Sequence, residues 1–221
     1  MGAYRHIIWD WNGTLFDDVG LCLAIENEIL ARLGRPALSL ARYQDCFDIP
    51  IRRFYENIGL SFDGDEPTFE DVMAAFWDAY GARHQRECSL HGNVLALLSA
   101  CAEVGLTHSL LSSLPQEELS AAVERLGLAG RFVHVSGHGD YHAGSKLDRG
   151  HALMAELGLA RGAVVLIGDT THDFDVAAAL GVDALLVASG HQSVARLRDK
   201  TDAVLASMDA LEAHLRRQLS A

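Results

Sequence analysis

Basic residues are scarce. The chain has 18 lysines and arginines against 30 acidic residues, and only Lys146 and Lys200 are lysines. The formal net charge of -12 argues against binding to a phosphate backbone or an anionic membrane face, since both need basic patches. No nucleic-acid or membrane partner is therefore expected. No apolar run approaches the roughly 20 residues that span a bilayer. The four cysteines, Cys22, Cys46, Cys88 and Cys101, form no CxxC pair and no zinc spacing, so reduced and mostly buried thiols in a cytoplasmic protein are expected. The N-terminus enters a strand almost at once, without a signal-peptide pattern. Low-complexity tracts and internal repeats are also missing.

What is present is enough apolar material for a large core. The chain has 221 residues and is 49% hydrophobic, which suits one domain with an insertion or two small domains. The apolar run His6 to Trp9 reads as a short buried strand ending on Asp10. Asn12 and Gly13 then favour a turn. From Asp17 to about residue 89 the pattern is helical only, with no strand. Asp17 or Asp18 caps the first helix, Ser39 to Cys46 forms a short one, Pro50 opens another and Thr68 caps a long one. From His91 the pattern alternates: strands at 106–111, 132–135, 163–167 and 184–188, separated by helices of about ten residues. Alternation of that kind gives βαβ units and a mostly parallel sheet. The economical architecture is an α/β, doubly wound, Rossmann-like core built from 1–16 and 91–221, carrying an inserted all-helical cap at 17–90.

Chemistry-bearing residues fall just after strand ends: Asp10, then Ser112 with Ser113, then Lys146 one loop later, then Asp169 with Asp173. In a parallel sheet those ends share one edge, where ligands bind. Two or three carboxylates with one lysine would hold a divalent, oxygen-preferring cation such as magnesium together with a phosphate. A carboxylate beside such a metal can also act as nucleophile.

Four segments in order carry a resemblance: Asp10-Trp11-Asn12-Gly13-Thr14-Leu15, Leu110-Leu111-Ser112-Ser113, Lys146, and Gly168-Asp169-Thr170-Thr171-His172-Asp173. Together they resemble the haloacid dehalogenase superfamily, in its phosphoglycolate phosphatase-like branch with a helical cap. The resemblance implies a Mg2+-dependent phosphatase of small phosphorylated metabolites, working as a monomer or homodimer. By that resemblance Asp10 is the nucleophile, Ser112 binds the transferring phosphoryl group and Lys146 neutralises its charge. Gly13, Thr14 and Ser113 would bind substrate. Asp10, Asp169 and the backbone carbonyl of Asn12 would hold the metal, with Asp173 supporting it or orienting Lys146.

The departure is Asn12. Phosphatases of the superfamily carry aspartate there, to protonate the leaving group and then activate water. An amide does neither, and loss of a general acid/base typically costs about 10²–10⁴ in rate. Alkyl phosphates should then turn over slowly, and acyl phosphates, whose leaving group needs no proton, less so. His138 and His172 are candidate substitutes, and His191 follows a strand at the same edge. The rival reading is a regulatory protein that holds a phosphate ligand without cleaving it. A signalling receiver phosphorylated on Asp10 fits less well, given the helical insert. Phosphonate hydrolysis is disfavoured because 17–90 contains no lysine. Dehalogenation is disfavoured by the Gly168-Asp169 pair.

In the cap, Arg52 and Arg53 stand where this branch reads the leaving group, and an arginine there could fork onto a carboxylate or second phosphate. Solvated helix residues are the competing reading. Phe54, Tyr55, Phe76, Trp77 and Tyr80 read as packing, and the histidines between His134 and His142 as incidental members of a loop leading to Lys146.

Overall fold

The computed structural model describes residues 4–62, 64, 67–139 and 145–219. The elements in order begin with β1 (His6–Trp9), β2 (Phe16–Asp17), α1 (Val19–Arg32), α2 (Leu40–Cys46), α3 (Arg52–Asn57), α4 (Phe69–Glu87) and β3 (Ser89–Leu90). There follow α5 (Val94–Glu103), β4 (Thr107–Pro115), α6 (Gln116–Arg125), β5 (His134–His138), α7 (Lys146–Leu157) and β6 (Val164–Gly168). The chain ends with α8 (Thr171–Leu180), β7 (Asp183–Val187), α9 (Val194–Arg198), β8 (Val204–Leu205) and α10 (Met208–Leu219).

β1 lies at the centre of a six-stranded sheet of order β5-β4-β1-β6-β7-β8, and every pairing in it is parallel. The order reverses beside β1, so its C-terminal end opens onto the crevice where ligands bind in such sheets. Alternation along β1 sends Ile7 and Trp9 into one hydrophobic cluster and Ile8 into the other. Both faces are therefore covered, as a parallel sheet requires. Trp9 Nε1 donates to His108 Nδ1 at 3.1 Å. That fixes the His108 proton on Nε2, which lies 3.2 Å from the Leu98 carbonyl.

The long helical insert leaves and re-enters through β2 and β3. These strands pair antiparallel, Phe16 with Leu90 and Asp17 with Ser89. Neither was expected, because two-residue strands are too short to show alternation. β8 was missed for the same reason. Ser39 and Thr68 do cap α2 and α4, Thr68 in a reciprocal box with Asp71. Asp18 does not cap α1: it stands at the N-cap position, but its carboxylate makes no capping bond. All four cysteines are free and buried, and among the described residues no helix is long and apolar enough to cross a membrane. In the Gly- and His-rich stretch, His134 to His138 forms β5 rather than a loop, while Asp140, Tyr141 and His142 lie outside the described residues.

Ile8 is fully buried and packs with Leu111, Leu166, Val176 and Leu180 in the second cluster. Ile8→Ala is expected to lower unfolding free energy by about 2–5 kcal/mol, read from the midpoint of urea denaturation.

Candidate active site

Asp10 sits one residue past β1. The chain then turns sharply, with the Trp11 carbonyl accepting from the backbone N–H groups of Thr14, Leu15 and Phe16. Gly13 makes the turn possible at φ 72, and a Cβ there would strike the Asp169 carboxylate and the His191 ring. Thr14 is buried beneath the turn, its hydroxyl 3.2 Å from Asp10 Oδ2 and 3.1 Å from Asp169 Oδ1. One hydroxyl proton serves one carboxylate at a time, so Thr14 orders the carboxylates and does not face the cavity.

Asp169 follows β6, and its Oδ2 accepts the His191 backbone N–H at 2.6 Å. Asp173 is held in a reciprocal capping box with Thr170 at the start of α8. Lys146, the first residue of α7, lies between the two arms. Its Nζ donates to Asp10 Oδ1 at 2.5 Å and to Asp173 Oδ1 at 2.6 Å. At the end of β4, the Ser112 hydroxyl accepts the Leu114 N–H at 3.0 Å.

One cavity of about 500 Å³ is lined by Asp10, Asn12, Ser112, Ser113, Lys146, Asp169 and Asp173. The expected catalytic and metal residues therefore meet in one place. His138 and His191 also line it. His172 and Arg53 instead line a separate cavity of about 290 Å³. The Arg52 guanidinium lies over the Phe69 ring at 4.3 Å and the Phe62 ring at 5.3 Å, so neither arginine faces the main cavity. Tyr55, Phe76, Trp77 and Tyr80 do line it, while packing on one another and on their neighbours. The reading of these aromatics as packing alone is corrected to that extent.

The sequence profile of the haloacid dehalogenase-like hydrolases matches residues 7–187. The chain belongs to this family. It is 28% identical over 195 residues to a phosphoglycolate phosphatase of Rhodospirillum rubrum, spanning 85% of this chain and 80% of the relative. It is 26% identical over 215 residues to the tyrosine-protein kinase PtkA of Mycobacterium tuberculosis, spanning 96% of this chain and 72% of that protein. The solved structure of that kinase superposes with a TM-score of 0.78 at 25% identity, covering 97% of this chain and 99% of the other. A haloacid dehalogenase-like protein from Agrobacterium tumefaciens shares the fold at a TM-score of 0.79 and 20% identity, covering 97% of this chain and 99% of that one.

The electrostatics of this haloacid dehalogenase-like site favour a cation. Burial pushes Asp10 up to about 6, against the pull of Lys146 and with a further push from Asp173. Burial pushes Asp169 up to about 8, against the pull of His191. Asp173 is held below the usual carboxylate range because Lys146 outweighs the burial. Oxygen atoms of Asp10, Asp169 and Asp173 lie within 4.8 Å of one another. Hard oxygen donors that close suit magnesium, and its charge would oppose the rise at Asp10 and Asp169.

Asp18, expected with Asp17 as a helix cap, instead lines the cavity. It is buried, and its Oδ2 accepts from Asn12 Nδ2 at 2.7 Å and from the Tyr80 hydroxyl at 2.8 Å. Its Oδ1 accepts the Gly13 N–H at 3.0 Å and lies 3.4 Å from His191 Nε2. Burial would raise Asp18, but the hydrogen bond and charge of His191, with Asn12 and Tyr80, hold it below the ordinary range. Burial would lower His191, and Asp18 instead lifts it to about 9. A carboxylate only accepts, so the amide nitrogen of Asn12 must face Asp18. Asn12 thus fits its neighbour as an amide. The signal was present in the sequence: Asp18, Cys22 and Glu26 recur at four-residue steps, the spacing of one helix face.

Glu26 lies at the far end of that stripe. Its Oε1 accepts from the Tyr55 hydroxyl at 3.0 Å. Burial drives it up to about 7, against the pull of Tyr55.

Two outcomes follow from these buried carboxylates. Asn12→Asp sets a second carboxylate against Asp18 and should cost on the order of 3 kcal/mol, seen as a lowered melting temperature. Adding Asp18→Asn should recover at least half of that loss. Glu26 is pushed up from an ordinary value of 4.5 to about 7, so its ionisation opposes folding and stability falls as pH rises through that window. Glu26→Gln should therefore stabilise the protein by on the order of 2 kcal/mol at pH 8, with the gain vanishing below about pH 4.5 in parallel urea titrations.

Proposed function

We propose that this hydrolase is a magnesium-dependent phosphatase of small phosphorylated metabolites, acting through an aspartyl phosphate on Asp10. The observation that carries the reading is the Lys146 ammonium bridging Asp10 and Asp173 beside Asp169. That arrangement gives an ionised nucleophile, a fixed positive charge and oxygen donors for a cation in one cavity. The similarity to the Rhodospirillum rubrum phosphoglycolate phosphatase supports it.

In this reading a carboxylate oxygen of Asp10 attacks phosphorus in line with the leaving oxygen, which departs with the electron pair of the broken P–O bond. Ser112, with Ser113, holds the non-reacting phosphoryl oxygens, and Lys146 Nζ offsets the charge they share with Asp10. Magnesium would be held by Asp10, Asp169, the Asn12 carbonyl and Asp173, directly or through water, and when bound supplies positive charge to the phosphoryl oxygens. Water then attacks the aspartyl phosphate, releasing phosphate and restoring the Asp10 carboxylate. Asn12 neither gives a proton to the leaving oxygen nor takes one from the attacking water, which slows or specialises the enzyme. Its side chain is bonded to Asp18 and Tyr80, and that engagement favours a second reading, a regulatory protein that holds a phosphate ligand without efficient turnover. The four buried free thiols suit a reducing compartment such as the cytoplasm. Neither reading needs more than a monomer or homodimer.

Asp10→Asn is expected to abolish magnesium-dependent phosphate release from a panel of phosphate esters and acyl phosphates. Equal release by the variant and the native chain would refute the phosphatase. Absence of release from the native chain, with magnesium and phosphate still binding by calorimetry, would favour the regulatory reading.

A further inference from the structure

The lining of the cavity has two characters. Beside the carboxylates, Lys146 and the serines stand Phe47, Tyr55, Met73, Phe76 and Trp77. Among the described lining residues the only lysine or arginine is Lys146, and both Asp10 and Asp173 already hold it. The imidazole of His191 is likewise held, by Asp18 and by the Tyr43 hydroxyl at 2.9 Å from its Nδ1. No lysine or arginine described there is free for a carboxylate or a second phosphate, and the other imidazole in the lining is that of His138.

Glu26 stands in this lining beside Tyr55. It is 3% exposed and lines the cavity. Tyr55 engages Oε1, while Oε2 is buried with no hydrogen-bond partner among the described residues. Such an atom costs free energy in the empty cavity and recovers it when a ligand supplies a donor. Glu26 is eight residues along α1 from Asp18, about 12 Å at the helical rise. A substituted ring reaches farther along that helix face than a two-carbon leaving group. Asn12 adds an independent constraint. Without an acid at that position, a leaving oxygen that is stable as an anion is favoured. A phenol, with a pKa near 10, leaves far more readily than an alkyl alcohol.

We propose that the cavity takes an aryl phosphate monoester whose ring lies among the aromatic side chains and whose far end carries a hydroxyl or amino group that donates to Glu26 Oε2. This rests on the phosphatase reading and names its substrate class. The Asp10 oxygen forms the new bond to phosphorus. The bond from phosphorus to the phenolic oxygen breaks, and the phenolate departs with its electron pair and takes a proton from water. Stacking on the ring walls and the bond to Glu26 supply the orientation.

The test compares 4-(hydroxymethyl)phenyl phosphate, 4-methylphenyl phosphate and phosphoglycolate on the full chain with magnesium, with Asp10→Asn as the blank. The two aryl esters match closely in leaving-group acidity and differ in the donor. Expected is a kcat/KM for the hydroxymethyl ester at least about tenfold above that of the methyl ester. Both should exceed phosphoglycolate. In Glu26→Leu the ratio of the two aryl esters should fall to about one, because the acceptor is gone. Should that variant fail to fold, the wild-type ratio and the same ratio in Glu26→Gln still decide. Turnover above the blank with no donor preference, or with phosphoglycolate preferred, overturns the substrate assignment and leaves the phosphatase standing. No turnover of either aryl ester above the blank overturns the substrate assignment, and no turnover on the wider panel of esters and acyl phosphates overturns the phosphatase as well.

Discussion

Three carboxylates are buried within a few ångströms of one another at the C-terminal edge of the central strands, and the structure depends on how their charge is met. Lys146 meets part of it, by bonding to Asp10 and Asp173 together. An ammonium held that way is itself buried, and burial would drive off its proton; the two aspartates outweigh that and hold its pKa above the ordinary lysine value. Removing Lys146 leaves the carboxylates buried without compensation, which is far more costly than losing a surface pair. The capping box at Thr170, the Thr14 hydroxyl and the His191 backbone N–H all serve the same cluster.

A second buried charge system lies beside the first. Asp18 collects the amide of Asn12, the Tyr80 hydroxyl from α4 and the imidazole of His191 from the loop after β7. It thereby joins the turn after Asp10, the helical insert and the sheet edge. The exchange of an acid for an amide at position 12 is coherent in this setting, because a carboxylate at 18 accepts from an amide and repels another acid. The two systems meet at His191, whose backbone serves Asp169 and whose ring serves Asp18.

Much of this was legible in the sequence. Buried parallel strands show as apolar runs, so β1 and β6 and the residues that follow them were placed from composition alone. Asp10, Ser112, Lys146, Asp169 and Asp173 were legible because strand ends in a parallel sheet converge. The two-residue strands were not, since they carry no periodicity. Asp18 was misread because aspartate before an apolar helix is also the ordinary pattern of a cap. The placement of Arg52 and Arg53 depended on the rotation of α3, which its six residues are too few to fix. Glu26 reads as one more charged helix residue until tertiary packing buries it.

The neck formed by β2 and β3 has a consequence for how the chain could have diversified. Because Phe16 pairs with Leu90 and Asp17 with Ser89, the long excursion between them begins and ends at one point. Lengthening or shortening such a closed excursion changes chain entropy only with the logarithm of its length. The sheet pairing is therefore little affected by the length of chain carried beyond the neck. Several contacts tie the excursion back: Asn12 to Tyr80, Tyr43 and Asp18 to His191, Gln44 of α2 to the Gly190 carbonyl at 2.7 Å, and Gln192 to the Phe47 carbonyl. Selection for a new leaving group can thus act on one segment of the gene, with those contacts as the joints that must be kept.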